Sequence, residues 1–220
     1  MTSTLSPQQR RHFAQTDVPL VLIDPVNVPD GSLPSIGATN FGGGMDAATH
    51  LTELGHRRIG MICGKADAVC SVARLHGYNA ALAAVGIAPD PDLVRPGDFT
   101  YESGYRAGLE LLALPDPPTA IFAANDPEAL GVVEAARVRG LRVPEDLSIV
   151  GFDDMPPSRW ASPPLTTVRQ PFAEMGRAAA HTLLQLAAGE TLNSTRVELA
   201  TTLVVRESTA PPRAATSAPS

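Results

Sequence analysis

The chain has 220 residues, 44% hydrophobic and 18% charged, the balance of a folded domain with a substantial core. Its net charge of −6 argues against a nucleic-acid backbone as a partner, because such binding is driven by clustered Lys and Arg. No apolar run approaches the roughly 20 residues of a membrane span, and MTSTLSPQQRRHF lacks the apolar core of a secretory signal, so a cytoplasmic protein is expected.

In chain order, PLVLID reads as a strand ending in Asp24, and SIGATN as a shorter one reaching Asn40. The glycine run Gly42 to Gly44 has neither the G-x-G-x-x-G spacing nor the Lys-Ser or Lys-Thr of a phosphate loop. It is expected to open the next helix, against a partner surface. A grammar of amphipathic helix, stop signal and short apolar strand then recurs. In MDAATHLTELGHRRIGMICGK, Ala48, Leu51 and Leu54 mark the helix, Gly55 its left-handed end, and Ile59 to Cys63 the strand. YESGYRAGLELLALPDPP is a helix stopped by Pro115, Pro117 and Pro118, and TAIFAAND follows as a strand. In PEALGVVEAARVRGLRVPEDLSIVGFDD, Asp126 is expected as N-cap, Pro127 as N1 and Gly140 as the stop.

Ser148 to Phe152 reads as a buried strand that delivers Asp153 and Asp154 at its carboxyl end. Beyond LTTVRQP, the spacing of Phe172, Met175, Ala179, Leu183 and Leu186 predicts the buried stripe of a helix. RVELATTLVVRES reads as one closing strand, and residues 209–220 as a disordered tail rich in Pro, Ala and Ser. Alternation of helix and buried strand implies an α/β fold with parallel sheets, whose ligands bind at the carboxyl ends of the strands.

The segments GHRRIGMICG, ARLHGYNAAL, PTAIFAANDPEALG, GLRVPEDLSIVGFDD and PPLTTVRQP, in that order and spacing, resemble the effector-binding core of the LacI/GalR family of transcription regulators. The resemblance runs from about Pro19 to Glu207. It implies a periplasmic-binding-protein-like fold of type I, with two Rossmann-like lobes around a small molecule, most often a sugar, and a homodimer. It also implies that LSPQQRRHFAQ is a helix of an incomplete first lobe, and that DNA contact belongs to a head absent from this chain. On this scheme residues 1–38 are a remnant of the amino-terminal lobe and 39–165 the carboxyl-terminal lobe. Residues 166–195 return to the first lobe, 196–208 close it, and the proline-rich run after Asp154 is the crossover.

The resemblance further implies four effector contacts, Arg74, Phe99, Asn125 and Asp153, and Phe172 is expected as a fifth because it lies close to the crossover. Asp153 accepts hydrogen bonds from ligand hydroxyls, for which an ionised carboxylate is suited. Asn125 supplies an amide, Arg74 a guanidinium, and Phe99 and Phe172 apolar faces in the cleft wall. Read as bare residues, Arg74 would be a solvated surface arginine, Phe99 and Trp160 core, and the two aspartates a turn. Ala68 and Cys70 leave their loop poor in hydroxyls. Cys63 and Cys70 make neither a disulfide framework nor a zinc site. His50, His56, His76 and His181 have no partner at metal-ligand spacing, and no G-x-S-x-G is present. Neither metal, cofactor nor catalysis is therefore expected. The alternative to a regulator core is a stand-alone small-molecule-binding or dimerisation module without DNA binding.

Overall fold

The computed structural model describes residues 18–25 and 33–213, so the helix expected over LSPQQRRHFAQ and tail residues 214–220 lie outside the described residues. Two sheets organise the chain. The smaller has the order β1–β2–β8, formed by β1 (Leu22–Ile23), β2 (Ser35–Ala38) and β8 (Arg196–Leu199), all parallel. The larger has the order β4–β3–β5–β6–β7–β9. Its strands are β3 (Ile59–Ile62), β4 (Val94–Arg95), β5 (Ala120–Ala123), β6 (Ser148–Asp153), β7 (Thr166–Arg169) and β9 (Thr202–Val204). All its pairings are parallel except β9 on β7, an antiparallel edge that the sequence pattern had not indicated.

Period-2 alternation in β5 shows why the large sheet needs cover on both faces. Ala120 and Phe122 enter one core with Leu51, Met61 and Tyr78, whereas Ile121 and Ala123 enter another with Leu111, Val132 and Leu147. Helices α1 (Asn40–Glu53) and α2 (Val69–Ala84) cover the first face, and α3 (Tyr101–Leu111) and α4 (Asp126–Val138) the second. Each pair packs backbone against backbone at glycine. A Cβ on Gly44 would fall on the Arg74 carbonyl, and one on Gly131 on the Tyr101 carbonyl. The Gly42–Gly44 run therefore serves a close approach within the chain, rather than a partner surface.

Three further expectations change. First, β7 pairs with β6, so the proline-rich run, which includes α5 (Pro156–Trp160), stays within the large-sheet lobe. The chain instead returns at Gln170–Pro171, from β7 into α6 (Phe172–Ala187), which packs on β1 and β2. Second, RVELATTLVVRES forms two strands in different sheets, β8 and β9, with Ala200 and Thr201 between them. Thr201 is tied to Thr39, the link from β2 to α1, by an N–H to Oγ1 hydrogen bond of 3.0 Å. Third, the start of the tail is packed. The Ala210 carbonyl accepts from His56 Nε2 at 2.9 Å and from the Ser148 hydroxyl at 2.9 Å, and Arg213 reaches Asp146.

The small sheet is thinly covered. Its core consists of Ile36, Ala38, Met175 and Ala179. Of the expected α6 stripe only Met175 and Ala179 are buried, Leu186 is half-buried, and Phe172 and Leu183 are exposed. Ile23 on the edge strand β1 is exposed as well.

Candidate functional site

The carboxyl ends of strands from both sheets meet at a cleft of about 300 Å³. Asp24 follows β1, Asn125 follows β5, Asp153 ends β6 and Gln170 follows β7; all four line it. Helix α2 contributes Cys70 and Arg74. Phe99 and Phe172 supply aromatic faces, and Met155 and Pro127 complete the wall. A recess of about 40 Å³ adjoins it on the small-sheet side, sharing Asp24 and Cys70 and reaching Ser35, Arg196 and Glu198.

Arg74 is buried at 2% exposure, although it sits on a helix. Its Nε donates to Asn40 Oδ1 at 2.9 Å and its Nη1 to the Ala124 carbonyl at 2.5 Å. Its Nη2 lies 3.8 Å from Asp153 Oδ1, and its guanidinium stands 3.6 Å over the Phe152 ring. Hydrogen bonds, charge and the aromatic face together offset the cost of burying the cation.

Asp153 Oδ1 accepts from Gln170 Nε2 at 2.7 Å, and among the described residues Oδ2 accepts no hydrogen bond. Burial pushes the Asp153 carboxyl up from the ordinary aspartate value, against the pull of Arg74 and the Gln170 bond. Asp24 is shifted the same way, again by burial opposed by Arg74. The cleft thus sets two carboxyls against one guanidinium, a charge balance that suits a neutral ligand better than an anion. Gln170 is buried with its Oε1 unpartnered among the described residues.

Backbone strain gathers here. The non-glycine residues with positive φ among those described are Asp24 (46°), Phe99 (70°), Asp153 (112°) and Asp154 (57°). Three of these line the cleft, and left-handed backbone outside glycine is concentrated at ligand sites. Asp154 turns away from its neighbour. It is buried, and Arg159, Arg169 and Arg206 all bond its carboxylate. Burial works against its charge, but those hydrogen bonds prevail and hold it at about 2.

A periplasmic binding protein-like domain matches residues 48–209, most of the chain. A regulatory protein of the LacI family from Chloroflexus aggregans superposes with a TM-score of 0.84 at 33% identity, covering 94% of this chain and 75% of that one. The chain belongs to the LacI family. Within that family it is 45% identical over 184 residues to the HTH-type transcriptional regulator CelR of Thermobifida fusca. That match covers 84% of this chain and 54% of CelR, so the chain spans about half the length of this relative. The structure of a CelR–cellobiose complex superposes with a TM-score of 0.84 at 43% identity, over 91% of this chain and 62% of that one.

The structure gathers all five expected contact residues, Arg74, Phe99, Asn125, Asp153 and Phe172, around one cleft. Asn125, however, is the N-cap of α4: its Oδ1 accepts the Glu128 N–H at 3.0 Å, and its Nδ2 donates to the Phe99 carbonyl at 2.9 Å. Asp126 lies inside the helix, wholly buried, accepting from the Thr167 hydroxyl and the Met155 N–H. Both residue types favour the cap, and only backbone position chooses between them. Trp160 lines nothing and is 78% exposed. Asp24 and Gln170 were not among the expected contacts, yet each follows a strand as Asp153 does. The same strand-end rule could have found them.

Proposed function

We propose that this chain is the effector-binding core of a cytoplasmic LacI-family transcription regulator, and that its cleft takes a neutral sugar. The observation that carries the reading is Asp153. Its carboxylate is steadied on one oxygen by Gln170 and Arg74, leaves the other oxygen for ligand hydroxyls, and shares the cleft with Phe99 and Phe172. The cellobiose held by the CelR structure fits this chemistry, since a sugar presents hydroxyls at its rim and apolar ring faces.

The cleft lies between two lobes joined through Thr39, Gln170–Pro171 and Ala200–Thr201, an arrangement for hinge closure. A sugar that binds the closed form better shifts the population towards it, and in the whole regulator that shift controls DNA binding. DNA contact is the work of a head outside these residues, and the cleft binds without catalysing. Exposed Tyr101, Val138, Met155 and Trp160 on or beside the neighbouring helices α3, α4 and α5 supply apolar surface for a homodimer.

Isothermal titration with cellobiose, ribose and glucose 6-phosphate tests the reading. A neutral sugar should bind, the phosphate ester should not, and Asp153→Asn should weaken binding at least about tenfold through loss of charge-assisted hydrogen bonds. Binding of the anion alone, or undiminished affinity in Asp153→Asn, would overturn it.

A further inference from the structure

We infer that Glu128 is a positioning residue of the cleft: its carboxylate holds the Asp98–Phe99 backbone so that Phe99 faces the effector, and effector affinity depends on that carboxylate keeping its charge. The inference rests on the reading of the cleft as a sugar site, but its first test does not.

Glu128 lies in the first turn of α4 and is wholly buried. Its Oε1 accepts the Asp98 N–H at 3.1 Å, the Phe99 N–H at 2.9 Å and the Ser103 hydroxyl at 3.1 Å. Its Oε2 is equally buried and has no partner among the described residues. The surrounding backbone is shaped to admit this side chain. A Cβ on Gly97 would collide with Glu128 Oε1. No purely apolar packing role explains a carboxylate placed where two peptide N–H groups converge.

Those N–H groups belong to the loop that carries Phe99 in its left-handed conformation, φ 70°, which a bulky residue holds only when its surroundings impose it. The first turn of α4 grips that residue from both sides. Glu128 takes the Phe99 N–H, and Asn125 Nδ2 donates to the Phe99 carbonyl. The ring is set against Gly64, Ala68 and Cys70 and faces the cleft.

The titratable groups around Glu128 leave it without a cation among the described residues. Asp98, on the loop, is an exposed carboxylate bonded by Thr100 and near Arg106 of α3. Cys63, beyond β3, is pushed up to about 11 by burial and by Glu128 itself, so it stays a neutral thiol. Burial accordingly pushes the Glu128 carboxyl up to about 7, against its hydrogen bonds from Phe99, Ser103 and Asp98. Its charge therefore changes close to neutral pH. Protonation weakens Oε1 as an acceptor for all three donors at once, and Phe99 loses one of the two holds that keep it against the ligand, the Asn125 bond remaining.

Amide resonances of the ¹⁵N-labelled chain, followed from about pH 5.5 to about 8.5, test the link without any sugar. Asp98 and Phe99 should titrate together near neutral pH, and should not do so in Glu128→Gln. Glu134→Gln, which alters an exposed pair with Arg137 on the same helix, should leave the titration in place. With cellobiose, affinity should be about tenfold weaker near pH 5.5 than near pH 8, and that fall should be clearly smaller in Glu128→Gln or in Phe99→Ala, where the cleft carboxyls Asp153 and Asp24 still titrate. A purely structural Glu128 would lower the melting temperature of its variant and leave the pH dependence of affinity intact, which would overturn the inference. So would unchanged amide titration in Glu128→Gln. If cellobiose fails to bind the unaltered chain at every pH, the sugar reading falls for that ligand while the amides still decide the role of Glu128. Should Glu128→Gln not fold, the ¹³C titration of the Glu128 carboxyl decides: a midpoint matching the Phe99 amide supports the link, and a different midpoint overturns it.

Discussion

The two sheets that meet at the cleft are built to different depths. The large sheet is buried on both faces, with Phe122, Ile121, Ile149 and Phe152 fully enclosed; the small one rests on Ile36, Ala38, Met175 and Ala179. Both nevertheless send a carboxylate to the cleft, Asp153 from the large-sheet side and Asp24 from the small-sheet side. Stability and ligand chemistry are therefore distributed differently. The large-sheet lobe fixes Arg74, Asn125, Phe99 and Asp153 through cores on either side, while the small-sheet lobe offers its groups from a loosely covered platform. A ligand that bridges them would do most to order the platform.

Core truncation should break the comparison open. Phe122→Ala, in the middle of β5, should cost about 3–5 kcal/mol and lower the main thermal transition. Met175→Ala should act locally, speeding amide exchange in α6, β1, β2 and β8 while that transition stays put. Calorimetry with exchange mass spectrometry reads both effects. If the two variants shift a single cooperative transition equally, the lobes stand or fall together and the contrast between them is wrong.

A smaller effect is expected at Asp154. This one buried carboxylate ties Arg159 of α5, Arg169 of β7 and Arg206 beyond β9 to the end of β6. Arg159 and Arg169 are themselves about half exposed, so solvent screens much of their share. Asp154→Ala should cost about 1–3 kcal/mol in denaturant titration, chiefly by leaving the better buried Arg206 unpaired. A loss no larger than that of Glu174→Ala, which breaks an exposed pair with Arg177, would show that the cluster stabilises little.

Much of this layout is legible in the amino-acid sequence, for identifiable reasons. Gly55 and Gly140 take positive φ where the helix-stop signals put them, and the apolar runs of β3, β5 and β6 are strands because both their faces are covered. The strand-end position of Asp153 follows from the same pattern. What fails depends on context that no local window holds. RVELATTLVVRES carries no glycine or proline, so its division between two sheets at Ala200–Thr201 leaves no local mark. Arg74 looks like a surface arginine because the groups that pair it, Asn40, Ala124 and the Phe152–Asp153 pair, come from three other places in the chain. The tail composition reads as unable to pack, yet Ala210 is held by its backbone, through His56 and Ser148, and needs no side chain of its own. Asp24 and Gln170 stand at strand ends as Asp153 does, but of these three the LacI-family resemblance implies a contact for Asp153 alone.

Asp126 gives the finest contrast, because it is buried like Asp154 but paired with neutral donors. Burial pushes its carboxyl up to about 7, against bonds from the Thr167 hydroxyl and the Met155 N–H, whereas the arginines hold Asp154 at about 2. The signs of the two linkages are opposite. For Asp126 the folded value exceeds the unfolded one, so its protonation favours the fold below about pH 4 and that contribution is lost as pH rises through about 7. For Asp154 the folded value is the lower, so its contribution is present above about pH 4 and disappears as pH falls through about 2. Asp126→Asn can keep both contacts, since the amide oxygen accepts from Met155 and the amide nitrogen can donate to the Thr167 hydroxyl. Its stability relative to the unaltered chain should therefore improve as pH rises from about 5 to about 8, by on the order of 1–2 kcal/mol. Urea titrations at both ends of that range measure the difference. A pH-independent difference would mean that Asp126 is already ionised at the lower end, and that Thr167 and Met155 stabilise its charge as well as the three arginines stabilise that of Asp154.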